Sequence, residues 1–136
     1  MIVIDASALS KYVLKESLWR SVRDFILANK PLVSVDLLIK EVLNVIWGYA
    51  VTLKVIDRSA AEELVDGVMG LIKTGVILLE NSDQYLSEAV KIAFENSISV
   101  FDSLYIAQAL KHGGLLTSDE KQAEVARKLN VKVHYI

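Results

Sequence analysis

Four acidic residues stand where this chain could most readily do chemistry. Asp5 directly follows the apolar run Ile2-Val3-Ile4, and Asp119 follows Leu115-Leu116-Thr117-Ser118. Asp102 opens a helical pattern that starts at Phe101, and Glu41 lies inside another. In an open α/β sheet, function gathers beyond the carboxyl ends of the strands, so Asp5 and Asp119 are expected on the same edge. Each Asp also has a structural reading, because Asp is a favoured helix N-cap worth about 1 kcal/mol and all three precede or open a helix. Capping cannot account for Glu41. The residues three and four away from it are Leu37, Leu38, Asn44 and Val45, so its carboxylate faces mostly apolar surface. A buried ionised carboxylate is costly unless a Lys or Arg of a neighbouring helix, a metal or a raised pKa relieves it.

Read together, the four acids predict one site. A single pair of carboxylates at ~4 Å repels by ~4 kcal/mol at an effective dielectric of about 20, a cost that a divalent cation removes. Oxygen-only ligands without cysteine suit a hard ion, Mg²⁺ or Mn²⁺. Such an ion polarises a phosphoryl oxygen and activates water, which points to phosphodiester cleavage. The hydroxyls of Ser7, Thr117 and Ser118 flank the acids and are expected to orient them or a water.

The elements that must position these residues alternate along the chain. Strands are expected at 2–4, 32–33, 76–79, 115–117 and 131–136, and helical segments over 7–29, 36–52, 59–73, 82–96, 101–111 and 120–129. Asp57 or Ser59 is available to cap the third of these segments, with Glu62 and Glu63 in its first turn. Leu86, Ala89, Val90, Ala93 and Phe94 form one face of the fourth. Gly75 and Gly113-Gly114 end helices. Strands separated by helices imply crossover connections, hence a three-layer α/β/α domain over 1–136 around a mainly parallel sheet of about five strands.

Composition narrows the function classes. The chain has 136 residues, enough to bury roughly two-thirds of its unfolded surface, and no cysteine. That excludes a disulfide scaffold, a thiolate metal site and a cysteine nucleophile, and fits a reducing cytoplasm. Mean hydropathy is +0.39, but no apolar run approaches the ~18 residues of a spanning helix. Asp5 interrupts the start, so no secretory leader is expected. The net charge of −2 argues at first against a nucleic-acid ligand, since phosphate contacts need Lys and Arg. With the four acids set aside, however, the 15 basic residues outnumber the acids that remain.

At the motif level, Ile2-Val3-Ile4-Asp5-Ala6-Ser7-Ala8-Leu9 and Glu41-Val42-Leu43-Asn44-Val45 resemble the first part of the PIN-domain ribonucleases. Val100-Phe101-Asp102-Ser103-Leu104-Tyr105-Ile106-Ala107-Gln108-Ala109 is similar to that family's third acidic motif, and Leu115-Leu116-Thr117-Ser118-Asp119 to its fourth. The third is the most specific of these, and together they span essentially the whole chain. The resemblance implies that Asp5, Glu41, Asp102 and Asp119 form a quartet binding Mg²⁺ or Mn²⁺, and that the substrate is RNA. A domain of this size most resembles the VapC-type toxins of prokaryotic toxin–antitoxin pairs, which implies a homodimer and a small antitoxin partner. Apolar surface left over from the core would then serve a dimer face and an antitoxin groove.

Rival readings are an RNA-processing nuclease outside a toxin system and a non-catalytic PIN fold used for binding or scaffolding. A phosphoacceptor receiver domain would need an Asp ending the third strand, where Leu79-Glu80 stands, and a Lys after the fifth. A phosphatase with an Asp nucleophile would need an acid where Ser7 stands. His112, in a last helical turn, and His134, in the last strand, read as structural. Glu120 reads as a first-turn helix acid rather than a further ligand. Trp19, Trp47, Tyr49 and Tyr105 read mostly as core, with Trp47 or Tyr49 turned toward a partner. Lys11, Lys15, Arg20 and Arg23 read as a solvated face, some of it available to guide an RNA backbone.

Overall fold

Five short runs rich in Val, Ile and Leu form strands, and amphipathic segments cover them on both faces. The structure, a computed structural model, describes all 136 residues. Its elements run β1 (Ile2–Ile4), α1 (Ala6–Val13), α2 (Trp19–Asn29), β2 (Leu32–Val35), α3 (Leu37–Trp47), α4 (Arg58–Lys73), β3 (Ile77–Glu80), α5 (Leu86–Asn96), α6 (Val100–His112), β4 (Gly114–Thr117), α7 (Glu120–Lys128) and β5 (Lys132–Tyr135). A π-helical turn, Gly48–Thr52, prolongs α3, and a 3₁₀ turn, Ser82–Tyr85, precedes α5.

The sheet order is β3-β2-β1-β4-β5 and every pairing is parallel, so the sheet is wholly parallel. Val3 aligns with Val33 on one side and with Leu115 on the other. From β1 the chain moves outward through β2 to β3, then returns to add β4 and β5 on the opposite side. The order therefore reverses between β1 and β4, and such a switch point opens a crevice beyond the carboxyl ends of the strands. Right-handed crossovers place α1–α4 on one face and α5–α7 on the other, and the helix contacts follow that division. Between the layers lie fully buried Ile4, Leu9, Leu32, Leu38, Ile77, Ile106, Leu115 and Leu116. No helix is long and apolar enough to cross a membrane.

Several boundaries and faces differ from the sequence reading. Strand β2 extends through Ser34 and Val35, and the Ser34 hydroxyl donates to the Ile4 carbonyl at 2.7 Å. Strand β3 is shifted to end on Glu80. Asp57 caps α4 by accepting the Ala60 N–H at 2.8 Å. That helix starts at Arg58, so Glu62 and Glu63 fall beyond its first turn, and Glu62 instead pairs with Arg58 at 2.8 Å. Helix α5 buries Ala89, Ile92 and Ala93, whereas Leu86, Val90 and Phe94 line its exposed side, with Phe94 83% accessible. Its small residues let it lie close against α6, which turns the large ones outward. Gly113 ends α6 with φ +102°, a left-handed conformation that glycine adopts without strain.

Candidate active site

Asp5 is delivered to the crevice because β1 ends there and the chain must turn into α1. Its carboxylate caps that helix, with Oδ1 accepting the Ala8 N–H at 3.0 Å and the Ser7 hydroxyl at 2.7 Å. Oδ2 accepts the Thr117 hydroxyl from the end of the adjacent strand β4. Ser7 Oγ also takes the Ser118 N–H at 2.9 Å, and Thr117 Oγ1 takes the Asp119 N–H at 3.0 Å. These bonds tie the mouths of β1 and β4 together at the switch point. Ser7 and Thr117 thus touch Asp5 directly, while Ser118 contributes its backbone and its buried hydroxyl has no partner. Asp5 is only 3% accessible. Burial pushes its carboxyl up to about 6 against the pull of the Thr117, Ser7 and Ala8 hydrogen bonds, and the charge of Asp119 adds to the rise.

Asp119 and Asp102 are placed by two helix starts. Asp119 caps α7, accepting the Gln122 N–H at 2.8 Å. The cap of α6 is Ser99, whose hydroxyl accepts the Asp102 N–H at 3.0 Å, so the capping role weighed for Asp102 belongs to another residue. Asp102 stands in the first turn of α6. Its pKa is raised by burial, lowered by Ser99 and raised again by Asp119. Gln122, itself buried, braces the pair: its side-chain amide donates to the Asp102 carbonyl at 3.1 Å while its backbone holds Asp119.

Glu41 comes from α3, on the other face of the sheet from α6. No cation answers it. Its partner is the Tyr105 hydroxyl, which donates to Oε1 at 2.5 Å. Burial raises the Glu41 pKa, the Tyr105 bond opposes that, and Asp102 raises it further. Tyr105 itself is 1% accessible, and burial, then its hydrogen bond to Glu41, then the charges of Glu41, Asp5 and Asp102 drive its hydroxyl far above the usual phenol range. It is therefore a permanent donor. The sequence reading assigns it mostly to the core, although its place three residues after Asp102 puts both on one side of α6.

Asp119 acts on Asp5 and on Asp102, Asp102 acts on Glu41, and three of the four acids act on Tyr105. The quartet thus shares one electrostatic neighbourhood, and none of its members belongs to any ion pair of the structure. It is not a closed cage: no three Asp, Glu or His side chains anywhere converge tightly enough to hold an ion. The donor chemistry nevertheless fits a hard divalent cation, since the four side chains offer only oxygen, three of them have raised pKa values, and none has a cationic partner.

The sequence matches the PIN domain over residues 2–128, and the chain belongs to that family. Among curated proteins it is similar to Ribonuclease VapC3 of Pyrobaculum aerophilum, with 27% identity over 124 residues covering 90% of this chain and 92% of that protein.

Proposed function

We propose that this chain is a divalent-metal-dependent endoribonuclease and the toxin of a toxin–antitoxin pair. The observation that carries the reading is the quartet of Asp5, Glu41, Asp102 and Asp119, gathered at the switch point of a parallel sheet without a cation to neutralise it. Similarity to a protein named Ribonuclease VapC3 supports RNA as the substrate.

In this reading the four carboxylates hold Mg²⁺ or Mn²⁺. When bound there, such an ion would neutralise their repulsion, polarise a phosphoryl oxygen and lower the pKa of water. The chain's own contribution is positional. Ser7 and Thr117 fix both oxygens of Asp5, Gln122 spaces Asp102 from Asp119, and Tyr105 holds Oε1 of Glu41. Lys15, Arg20 and Arg23 surround the Trp19 ring at 5.6, 4.8 and 5.5 Å, a basic surface suited to an RNA backbone. Lys11 is engaged with the Ile136 carbonyl at 3.0 Å.

Two exposed apolar surfaces support a homodimer and an antitoxin. One is the stripe of Leu86, Val90 and Phe94 on α5. The other is a cleft of about 480 Å³ between the end of α3 and α4, rimmed by Trp47 and Val51. Trp47 faces outward, whereas Tyr49 turns in to donate to Glu16 at 2.6 Å. We assign one domain to residues 1–136 and a cytoplasmic location.

The test is RNA cleavage. Purified protein with Mn²⁺ or Mg²⁺ is expected to cut RNA, EDTA to stop it, and Asp5→Asn or Asp102→Asn to abolish it. Cleavage that persists in both variants, or that ignores EDTA, contradicts the mechanism. The toxin assignment is tested by growth arrest on expression, relieved by the product of an adjacent reading frame.

A further inference from the structure

A pocket of about 310 Å³ opens between α1 and α3, and its lining includes Ser7, Glu16 and the quartet member Glu41. The two helices follow adjacent parallel strands, and Ser7 and Ser10 of α1 and Glu41 and Asn44 of α3 all line it. The volume sits at the lower end of the ~300–1,000 Å³ typical of small-ligand pockets.

Its chemistry is selective. Two carboxylates, one amide and two serines line it, and no Lys, Arg or His does, so a phosphate is repelled. Ser10 is 6% accessible and its hydroxyl has no hydrogen-bond partner, a deficit that costs stability unless a ligand fills it. Glu16 enters no ion pair, and the Tyr49 hydroxyl on Oε2 fixes its orientation while leaving Oε1 free. A flat, uncharged group bearing N–H donors suits these acceptors, and of the parts of an RNA strand only a base fits that description.

We propose that this pocket receives a nucleobase carrying an exocyclic amino group, from the nucleotide beside the cut phosphate, with Glu16, Ser10 and Asn44 as its acceptors. The inference rests on the nuclease reading of the adjacent quartet. Single-stranded RNA is commonly read through bases splayed from the stack and bonded on their edges. Carboxylates accept from the cytosine amino group, which uracil replaces by a carbonyl.

The experiment uses paired oligoribonucleotides that differ only in cytidine or uridine, or adenosine or inosine, next to the cut. The amino-bearing member is expected to be cut about tenfold more efficiently, mainly through KM, as one hydrogen bond to a charged acceptor implies. Glu16→Gln, which keeps an oxygen for Tyr49, is expected to bring the ratio close to one. Ser10→Ala, which disturbs no bond of the fold, is expected to lower it. Equal cleavage of both members by the wild type overturns the proposal. A second readout is the amide spectrum of the metal-free protein titrated with CMP or UMP. Shifts at Ser10, Glu16 and Asn44 with CMP alone support the pocket even if no RNA is cut, in which case only the nuclease reading fails. Shifts at the same residues with free arginine but not with CMP assign the pocket to a cationic side chain of a protein partner and overturn it.

Discussion

Glu80 and the quartet are both acidic groups at the carboxyl ends of parallel strands, yet the fold treats them oppositely. Glu80 ends β3, aligned with Val35 of β2. Tyr85 donates to its Oε1 at 2.6 Å, Gln108 and His112 do so at 2.9 Å, and Lys111 lies 3.7 Å from Oε2. Burial works to raise its pKa, but the bonds from Gln108, Tyr85 and His112 prevail and hold it at about 2. Asp5, Glu41 and Asp102 shift the other way, with burial and the charge of Asp119 (for Asp5 and Asp102) or of Asp102 (for Glu41) outweighing their hydrogen bonds. An acid at a strand mouth is therefore not in itself a site. Glu80 is supplied with donors and locks α6 to the sheet edge. The quartet is left without a cationic partner, and it is there that we propose a divalent cation binds.

The contrast breaks most visibly in pH dependence. In metal-free protein the fold favours protonated Asp5, whose pKa rises from its ordinary 3.8 to about 6. Its contribution is complete below about pH 3.8 and disappears as pH rises through 6, a difference of about 3 kcal/mol. Glu80 contributes above its ordinary 4.5 and loses that contribution as pH falls toward 2. Chemical denaturation in EDTA should show greater stability at pH 5 than at pH 7, and Asp5→Asn should flatten that difference. A wild type equally stable at both values contradicts the assigned strain.

Glu80→Ala should cost about 2 kcal/mol, because it strips the partner from Gln108, Tyr85 and His112, and it should leave the metal requirement for cleavage unchanged. Tyr105→Phe keeps the buried ring but removes the donor to Glu41. The Mn²⁺ concentration for half-maximal cleavage should rise roughly tenfold, with a small change in melting temperature. A large melting change at unaltered metal dependence would reduce Tyr105 to a packing residue. Asp57→Ala should cost about 1 kcal/mol through its lost helix cap and do nothing to metal binding, since α4 contributes no member of the quartet.

Much of the scaffold was legible because local rules decide it. Ile2-Val3-Ile4 followed by Asp5 announces a buried parallel strand with an acid at its mouth, and Asp57 is a cap by type and place. Asp102 was ambiguous, although Ser99, three residues earlier, has the spacing of an N-cap to its third helical residue. What escaped depends on long-range packing. Tyr105 meets Glu41 across 64 residues of chain, and Gln108 meets Glu80 across 28. The face of α5 was misread because Ala89 and Ala93 pack closely while Leu86, Val90 and Phe94 remain outside. Hydrophobicity alone ranks those large residues first for burial.

The central claim is that acids left without cations form the metal site. Calorimetric titration of Mn²⁺ into wild type, Asp102→Asn and Glu80→Gln tests it most directly. The account predicts binding by the wild type and Glu80→Gln, and its loss in Asp102→Asn. Unchanged binding in Asp102→Asn, or loss in Glu80→Gln alone, would contradict it.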